Sequence, residues 1–288
     1  MAGWGASVVR GEPTADAPFA DPLRVGRCRG WCERDLESEL AAPDRALERI
    51  FELVPRRPLR VIPGRATFAW PSDASLIVKR YERGARGDAW HDWFHIGRMR
   101  TPGRREAENL RELAQCGLNV PRALGWCEEV RGRSWLRRRR SALWMEAVEH
   151  RATLARELAN DPRRALERFG AELASSTARM HGLGWYHRDL YLEHWLVTER
   201  GLVLVDVGRA RREARPRRRW FVKDIAALES SCPAGVAARA RLRFLARYLD
   251  LRRISDRAQR RAFARDVLAK ARAIRAHVPR HVDASSQA

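Results

Sequence analysis

Alternation and helical periodicity divide the chain into a strand-rich first half and a helix-rich second half. Ser75–Tyr81 (SLIVKRY) is a short apolar run that predicts a strand. Arg104–Cys116 sets Leu110 and Leu113 on one helical face, with Gly117 as a stop and Pro121 beyond. On that helix Glu106 lies one turn before Leu110 and points inward, whereas Glu108 points roughly opposite. Ala123–Glu129 and Ser141–Val148 read as strands, and the arginines Arg137–Arg140 between them read as a solvated hairpin tip. Leu166, Phe169, Leu173, Thr177 and Met180 recur at helical spacing within Arg163–Leu183, which Gly182 and Gly184 end. Leu202–Val207 (LVLVDV) is a continuous apolar strand, and Val222–His277 is mostly helical by composition and strongly basic.

This order predicts an α+β, bilobal architecture: a small strand-rich N-lobe over 46–148, a helical C-lobe over 149–288 and a cleft between them. Residues 1–45 are rich in Gly, Pro, Ala and charge, with weak periodicity. They are expected to be an N-terminal extension, partly disordered, with a short helix near Asp35–Leu40. Trp90, His91, Trp93 and His95 gather in a loop-like stretch and are expected to pack over a lobe surface.

Composition narrows the classes. With 45% hydrophobic residues among 288, the chain buries a real core as one large domain or two small lobes. No apolar run approaches the ~18 residues of a membrane span, and no basic segment followed by an apolar core opens the chain, so the expectation is a cytoplasmic protein. Cys28, Cys32, Cys116, Cys127 and Cys232 follow no disulfide spacing and read as reduced thiols. The net charge of +21 attracts anionic partners. No nucleic-acid reader motif accompanies it, and aromatics do not interleave with the basic runs, so no specific nucleic-acid partner is expected. Arginine is the default cation here. The only lysines are Lys79, Lys223 and Lys270, which makes a lysine inside an apolar strand informative.

The chemistry concentrates after the long helix. His187-Arg188-Asp189-Leu190-Tyr191-Leu192-Glu193-His194 is followed, at the end of the apolar strand, by Asp206-Val207-Gly208. Both pieces resemble the protein-kinase signatures H-R-D-L-x-x-x-N and D-F-G, and they come in the matching order of helix, loop, strand and acidic turn. Phosphoryl transfer asks a protein mainly to position groups and neutralise charge. Asp189 suits the carboxylate that takes or orients the proton of the attacking hydroxyl, with His187 and Arg188 grouped with it as catalytic candidates. Asp206 suits the carboxylate that holds Mg2+ against the phosphates of ATP, and Gly208 would let the backbone turn sharply after it. Lys79 would reach the phosphates and Glu106 would hold the lysine. Glu146 and Val148, closing their strand, complete the candidate ATP-binding positions. A glycine-rich loop is missing upstream of Lys79, so phosphate cover is expected from backbone amides around Arg65–Phe68, with Gly64 as the flexible point.

In these residues the chain resembles the lipopolysaccharide kinase family, the Kdo/WaaP or InaA-like group. The likeness rests on HRDLYLEHWLV from His187 to Val197, on RWFVKDIAAL from Arg219 to Leu228, and on RREAENLRELAQCGLNVPRAL from Arg104. The resemblance implies a protein-kinase-like fold and transfer of phosphate from ATP to a sugar hydroxyl, on a heptose or Kdo of the lipopolysaccharide inner core. It also implies work at the inner face of the inner membrane. The acceptor partner is then the lipopolysaccharide core or another anionic glycan, and the net charge is compatible with peripheral contact with an anionic membrane surface. His194 stands where protein kinases carry asparagine and is a candidate metal-site residue, orienting Asp189 or a metal-bound water. Asp224 is expected to brace the catalytic loop. The seven arginines within 209–219 are candidate contacts for an acceptor phosphate or lipid headgroup. The competing readings are a kinase of another small molecule or glycan, and a kinase-fold binding protein with weak or no turnover.

Overall fold

The computed structural model describes residues 23–25, 27–33, 42–55, 58–82, 100–129 and 140–276. The helix expected near Asp35–Leu40, the cluster of Trp90, His91, Trp93 and His95, and Arg137–Arg139 lie outside the described residues.

Strands β1 (Leu23–Val25), β2 (Cys28–Cys32), β3 (Arg60–Ile62), β4 (Arg65–Ala69), β5 (Leu76–Tyr81), β6 (Ala123–Glu129) and β7 (Ser141–Glu146) form one sheet. Its order is β1-β2-β6-β7-β5-β4-β3, and every ladder is antiparallel. Side chains alternate across it, as the two-residue period of a strand requires. Along β7, Ala142 and Trp144 pack with Leu47 and Ile50 of helix α1 (Pro43–Glu52). Leu143 and Met145 pack with Leu110 and Leu113 of helix α2 (Pro102–Gln115) in the other cluster. Lys79 of β5 stands directly opposite Leu143, so it shares the α2 face of the sheet. That register is what brings a lysine and a helix carboxylate together.

Residues 23–32 depart from the expected N-terminal extension. They form β1 and β2 and continue the sheet past β6, and α1 begins at Pro43. The cause is non-local. Cys-Arg-Gly-Trp-Cys pairs with a strand a hundred residues away, and a Cβ on Gly30 would sit 2.5 Å from the Trp126 carbonyl oxygen. Composition cannot reveal such a fit. The expected Ser141–Val148 strand stops at Glu146, and the expected Leu202–Val207 strand is β11 (Gly201–Leu204), which leaves Asp206 outside the ladder.

The helical half contains α3 (Leu154–Asn160), α4 (Pro162–Gly182), α5 (Arg218–Ser230), α6 (Ala238–Leu251) and α7 (Arg257–Arg275). Helix α4 starts where Asp161 accepts a hydrogen bond from the Arg164 amide at 3.0 Å and Pro162 fills the first turn. Short strands β8 (Ala152–Thr153), β10 (Trp195–Thr198) and β11 form a second sheet, and β9 (Trp185–Tyr186) pairs with β12 (Arg211–Arg212). The segments between β9 and β10 and between β11 and β12 carry the signature residues. One apolar cluster runs from Leu143 and Leu110 through Phe169, Leu190, Leu204 and Ile225, so the two halves share a continuous core. Among the described residues, no helix is long and apolar enough to cross a membrane.

Candidate active site

Helix α2 joins the sheet to the Asp206 turn. At its start, the Thr101 hydroxyl donates to Glu128 at 2.6 Å instead of capping its own helix. Glu128 is 1% exposed and also pairs with Arg29 of β2 and Arg104. Toward the other half, Arg105 donates to the Gly208 carbonyl at 2.9 Å, and Asn109 donates to the carbonyls of Val207 at 2.8 Å and Ala210 at 3.1 Å. Polar side chains of one helix thereby tie down backbone acceptors of the turn, including the Val207 carbonyl that also accepts from the Ala210 amide at 3.0 Å. Glu108 is buried rather than free on an outer face, because Arg104 and Arg100 each reach it at 2.8 Å.

Glu106 is also 1% exposed. Lys79 Nζ approaches its Oε1 at 2.5 Å, and the Tyr81 hydroxyl donates to its Oε2 at 2.5 Å. Burial and the neighbouring Glu106 charge push the Tyr81 phenol well above its ordinary range, so it remains a donor. Lys79 Nζ also lies 3.6 Å from Asp206 Oδ1. Lys79, Glu106 and Asp206, distant in sequence, therefore meet at one point.

Asp206 receives further cations. Arg65 donates to its Oδ1 at 2.9 Å, and Arg60 lies 3.9 Å from its Oδ2. Burial alone would raise the Asp206 carboxyl, but Lys79 and Arg65 outweigh it and hold the group well below the usual carboxylate range. Asp206 occupies the left-handed region, with φ 57° and ψ 47°, a conformation aspartate tolerates better than most residues. The expectation for Gly208 changes accordingly. The positive φ falls on Asp206 and not on Gly208. Glycine is required at 208 by proximity, since a Cβ there would lie 2.8 Å from Glu106 Oε2.

The expected backbone cover around Arg65–Phe68 is not what surrounds Asp206. Strand β4 is an inner strand between β3 and β5, so its amides serve those ladders. Pro63 and Gly64, with φ +79° at Gly64, make a tight turn with no loop to spare. The side chains of Arg60 and Arg65 flank that turn and reach the site instead.

Asp189 follows a strained position: Arg188 has φ 76°, a conformation costing on the order of 1–3 kcal/mol outside glycine. The strain is held by Asp224 of α5, fully buried, which accepts from the His187 amide at 2.6 Å and the Arg188 amide at 2.7 Å. His181 of α4 approaches the same carboxylate at 3.2 Å and pairs through its other ring nitrogen with the Tyr248 hydroxyl at 2.7 Å. The brace expected of Asp224 is thus a set of hydrogen bonds tying three helices to the loop. Asp189 itself carries a cation on each oxygen. Arg209 lies 2.7 Å from Oδ2, and Lys223 lies 3.7 Å from Oδ1.

His194 Nδ1 lies 2.8 Å from the Asp189 backbone oxygen, which can only accept, so Nδ1 carries the proton. Its Nε2 then faces Asp206 Oδ2 at 3.8 Å. His187 is fully buried, burial lowers its proton affinity, and neither ring nitrogen has a partner among the described residues. The Arg188 guanidinium lies over the Trp220 ring at 5.5 Å. Glu146 is exposed and lies 3.8 Å from Arg122, away from Lys79. The Val148 carbonyl pairs with the His150 ring at 2.7 Å. The structure thus gathers Lys79, Glu106, Asp189, His194 and Asp206, and leaves the side chains of His187, Arg188, Glu146 and Val148 outside the group. Arg60, Arg65 and Tyr81 belong to it and were not singled out by sequence as side-chain ligands, whereas Arg209, one of the arginines within 209–219 expected to meet an acceptor phosphate or lipid headgroup, pairs with Asp189.

An antiparallel sheet joined to a helical half, a buried lysine–glutamate pair and two loop aspartates define the protein-kinase-like class. A family model described as "Lipopolysaccharide kinase (Kdo/WaaP) family" matches residues 65–248, and the chain belongs to that family. It is therefore a kinase acting on a sugar hydroxyl. A solved structure of WaaP in complex with acyl carrier protein is similar at 26% identity, covering 78% of this chain and 92% of that chain, with a TM-score of 0.55. No curated protein matches the chain.

Proposed function

We propose that the protein transfers phosphate from ATP to a hydroxyl of a heptose or Kdo in the lipopolysaccharide inner core, at the cytoplasmic face of the inner membrane. The observation that carries this reading is the Lys79 ammonium set between Glu106 at 2.5 Å and Asp206 at 3.6 Å, within one half-buried cluster. Cations there outnumber carboxylates, which suits a polyphosphate. Asp189 would take the acceptor proton. The two lobes would hinge just after β7, where Glu146 and Val148 would offer backbone groups to the adenine.

Asp206 fits a magnesium ion, since it is a partly accessible carboxylate held ionised. It would be the principal ligand, with the His194 Nε2 lone pair beside it. Such an ion would neutralise phosphate charge. Within the chain, Glu106 fixes Lys79, and Asp224 fixes the loop that presents Asp189.

The net charge of +21 supports contact with an anionic acceptor and with an anionic membrane surface. A second partner is suggested by the helical half. A cavity of about 350 Å³ there is lined mainly by apolar residues, among them Leu173, Leu192, Ile225, Phe244 and Val267. Since the solved relative carries acyl carrier protein, we propose a carrier-borne acyl chain as its occupant.

The deciding assay is transfer of labelled phosphate from Mg·ATP to purified core lipopolysaccharide, with chemical mapping of the labelled sugar. Loss of transfer in Asp189→Ala and Asp206→Ala is expected. Labelling of an unrelated soluble sugar alone would favour a different acceptor class, and no labelling of any acceptor would reject the reading.

A further inference from the structure

The placement of Lys223 is unusual for this chain. Of 57 lysines and arginines only three are lysines. Lys270 is exposed on α7. The other two each lie against one site carboxylate: Lys79 against Asp206 at 3.6 Å and Lys223 against Asp189 at 3.7 Å. Arginine serves nearly everywhere else, so these two positions ask for something a guanidinium does not provide. A lysine is a compact point charge with rotatable donors, whereas arginine is a planar fork that grips a carboxylate with two bonds.

The geometry shows the difference at Asp189. Arg209 makes a direct 2.7 Å bond to Oδ2. Lys223 at 3.7 Å from Oδ1 is beyond hydrogen-bond distance, so its donors are not committed to that carboxylate. Its side chain is 24% exposed. Its base is fixed because the next residue, Asp224, is the fully buried acceptor for the His187 and Arg188 amides. The backbones that carry Lys223 and Asp189 are thus tied together. Burial holds the Lys223 ammonium below its ordinary range, with Asp189 opposing the shift and Arg209 and Arg188 adding to it. The loop's own neighbouring cation, Arg188, lies over the Trp220 ring at 5.5 Å, and Leu190, Tyr191, Leu192 and Glu193 follow Asp189.

We infer that Lys223 is the cation that meets the phosphoryl group as it passes to the acceptor hydroxyl, delivered from α5 to the side of Asp189. The inference rests on the kinase reading of this site. In the step, the acceptor oxygen bonds to the γ-phosphorus as the bond to the β–γ bridging oxygen breaks. ADP leaves with that electron pair, and the hydroxyl proton passes to Asp189. Negative charge spread over the three moving oxygens is what an uncommitted ammonium beside Asp189 stabilises.

The test compares full-length wild type, Lys223→Gln and Lys223→Arg for transfer from Mg·ATP to core lipopolysaccharide, with kcat and KM for ATP resolved. Melting curves with and without Mg·ATP are taken alongside. Lys223→Gln should lose about a hundredfold in kcat, the usual scale for one charge-stabilising donor, with KM for ATP and the nucleotide-induced melting shift unchanged. Lys223→Arg should keep its fold but recover less than about a tenth of the lost rate, because the fork claims Asp189. If Lys223→Gln fails to fold, Lys223→Arg alone decides: activity at wild-type level overturns the inference. A kcat for Lys223→Gln within about threefold of wild type, or a loss confined to KM for ATP, overturns it also. If wild type transfers no phosphate, the kinase reading falls and takes this inference with it.

Discussion

At the scale of single residues, the Lys79–Glu106 pair sets the strongest constraint. Both are nearly inaccessible, at 4% and 1%, so neither charge can fall back on water. Glu106→Gln should therefore cost about 3 kcal/mol, the order seen when one partner of a buried pair is removed, as read from urea unfolding. It should also lower kcat for phosphate transfer. His187 predicts the opposite sign. Its ring is buried and lacks hydrogen-bond partners among the described residues, so an apolar ring of similar shape loses nothing polar. His187→Phe should match or exceed wild-type stability and retain most activity, measured by thermal unfolding and the transfer assay. A loss beyond about 2 kcal/mol would show that the imidazole makes bonds the structure lacks.

Legibility also divides by residue type. Lys79 stood out because lysine is rare in this chain, and Glu106 because helical spacing set it inward. Arg60 and Arg65 were invisible among so many arginines, where any one carries little information. What selects them is pairing register. Arg65 stands opposite Tyr81, which in turn holds Glu106, and no local pattern encodes that alignment.

Among the elements, helices were easier to read than strands, for the same physical reason. Periodicity placed Pro102–Gln115 and Pro162–Gly182 within a few residues because a helix closes its own hydrogen bonds. Strand order in the sheet depends on contacts far apart in sequence, so β1 and β2 were missed. One strand contact allows a sharp test. Gly125 sits opposite Trp144 at an irregularity in the β6–β7 ladder, and a Cβ there would meet the indole at 2.3 Å. Gly125→Ala should destabilise by about 2 kcal/mol through overpacking, visible in denaturant titration. Gly170→Ala, whose Cβ would meet Leu166 at an ordinary 3.8 Å inside α4, should be neutral or mildly stabilising.

For the molecule as a whole, pH and salt report on the buried and exposed charges respectively. Burial lowers the proton affinity of His181 and His187 in the fold. The unfolded chain thus binds more protons near the ordinary histidine range around 6.5, and stability should rise with pH across that range. Melting temperatures should climb between about pH 5 and 7.5, and His187→Phe should flatten part of that slope. The surface charge of +21 acts at longer range and is screened within about 8 Å at physiological salt. Raising ionic strength should therefore raise KM for the lipopolysaccharide acceptor more than KM for ATP. Equal shifts would mean that the net charge does not steer the acceptor.

Asp224 ends two backbone amides of a loop on a carboxylate that belongs to a helix. The loop therefore has no private way of opening. Releasing His187 and Arg188 to solvent means dislodging α5, and through His181 and Tyr248 it disturbs α4 and α6 as well. In deuterium oxide, those two amide protons should persist about as long as the slowest helical ones, although they sit in an irregular turn. Thermal motion would then reach Asp189 only when the helical half itself begins to melt.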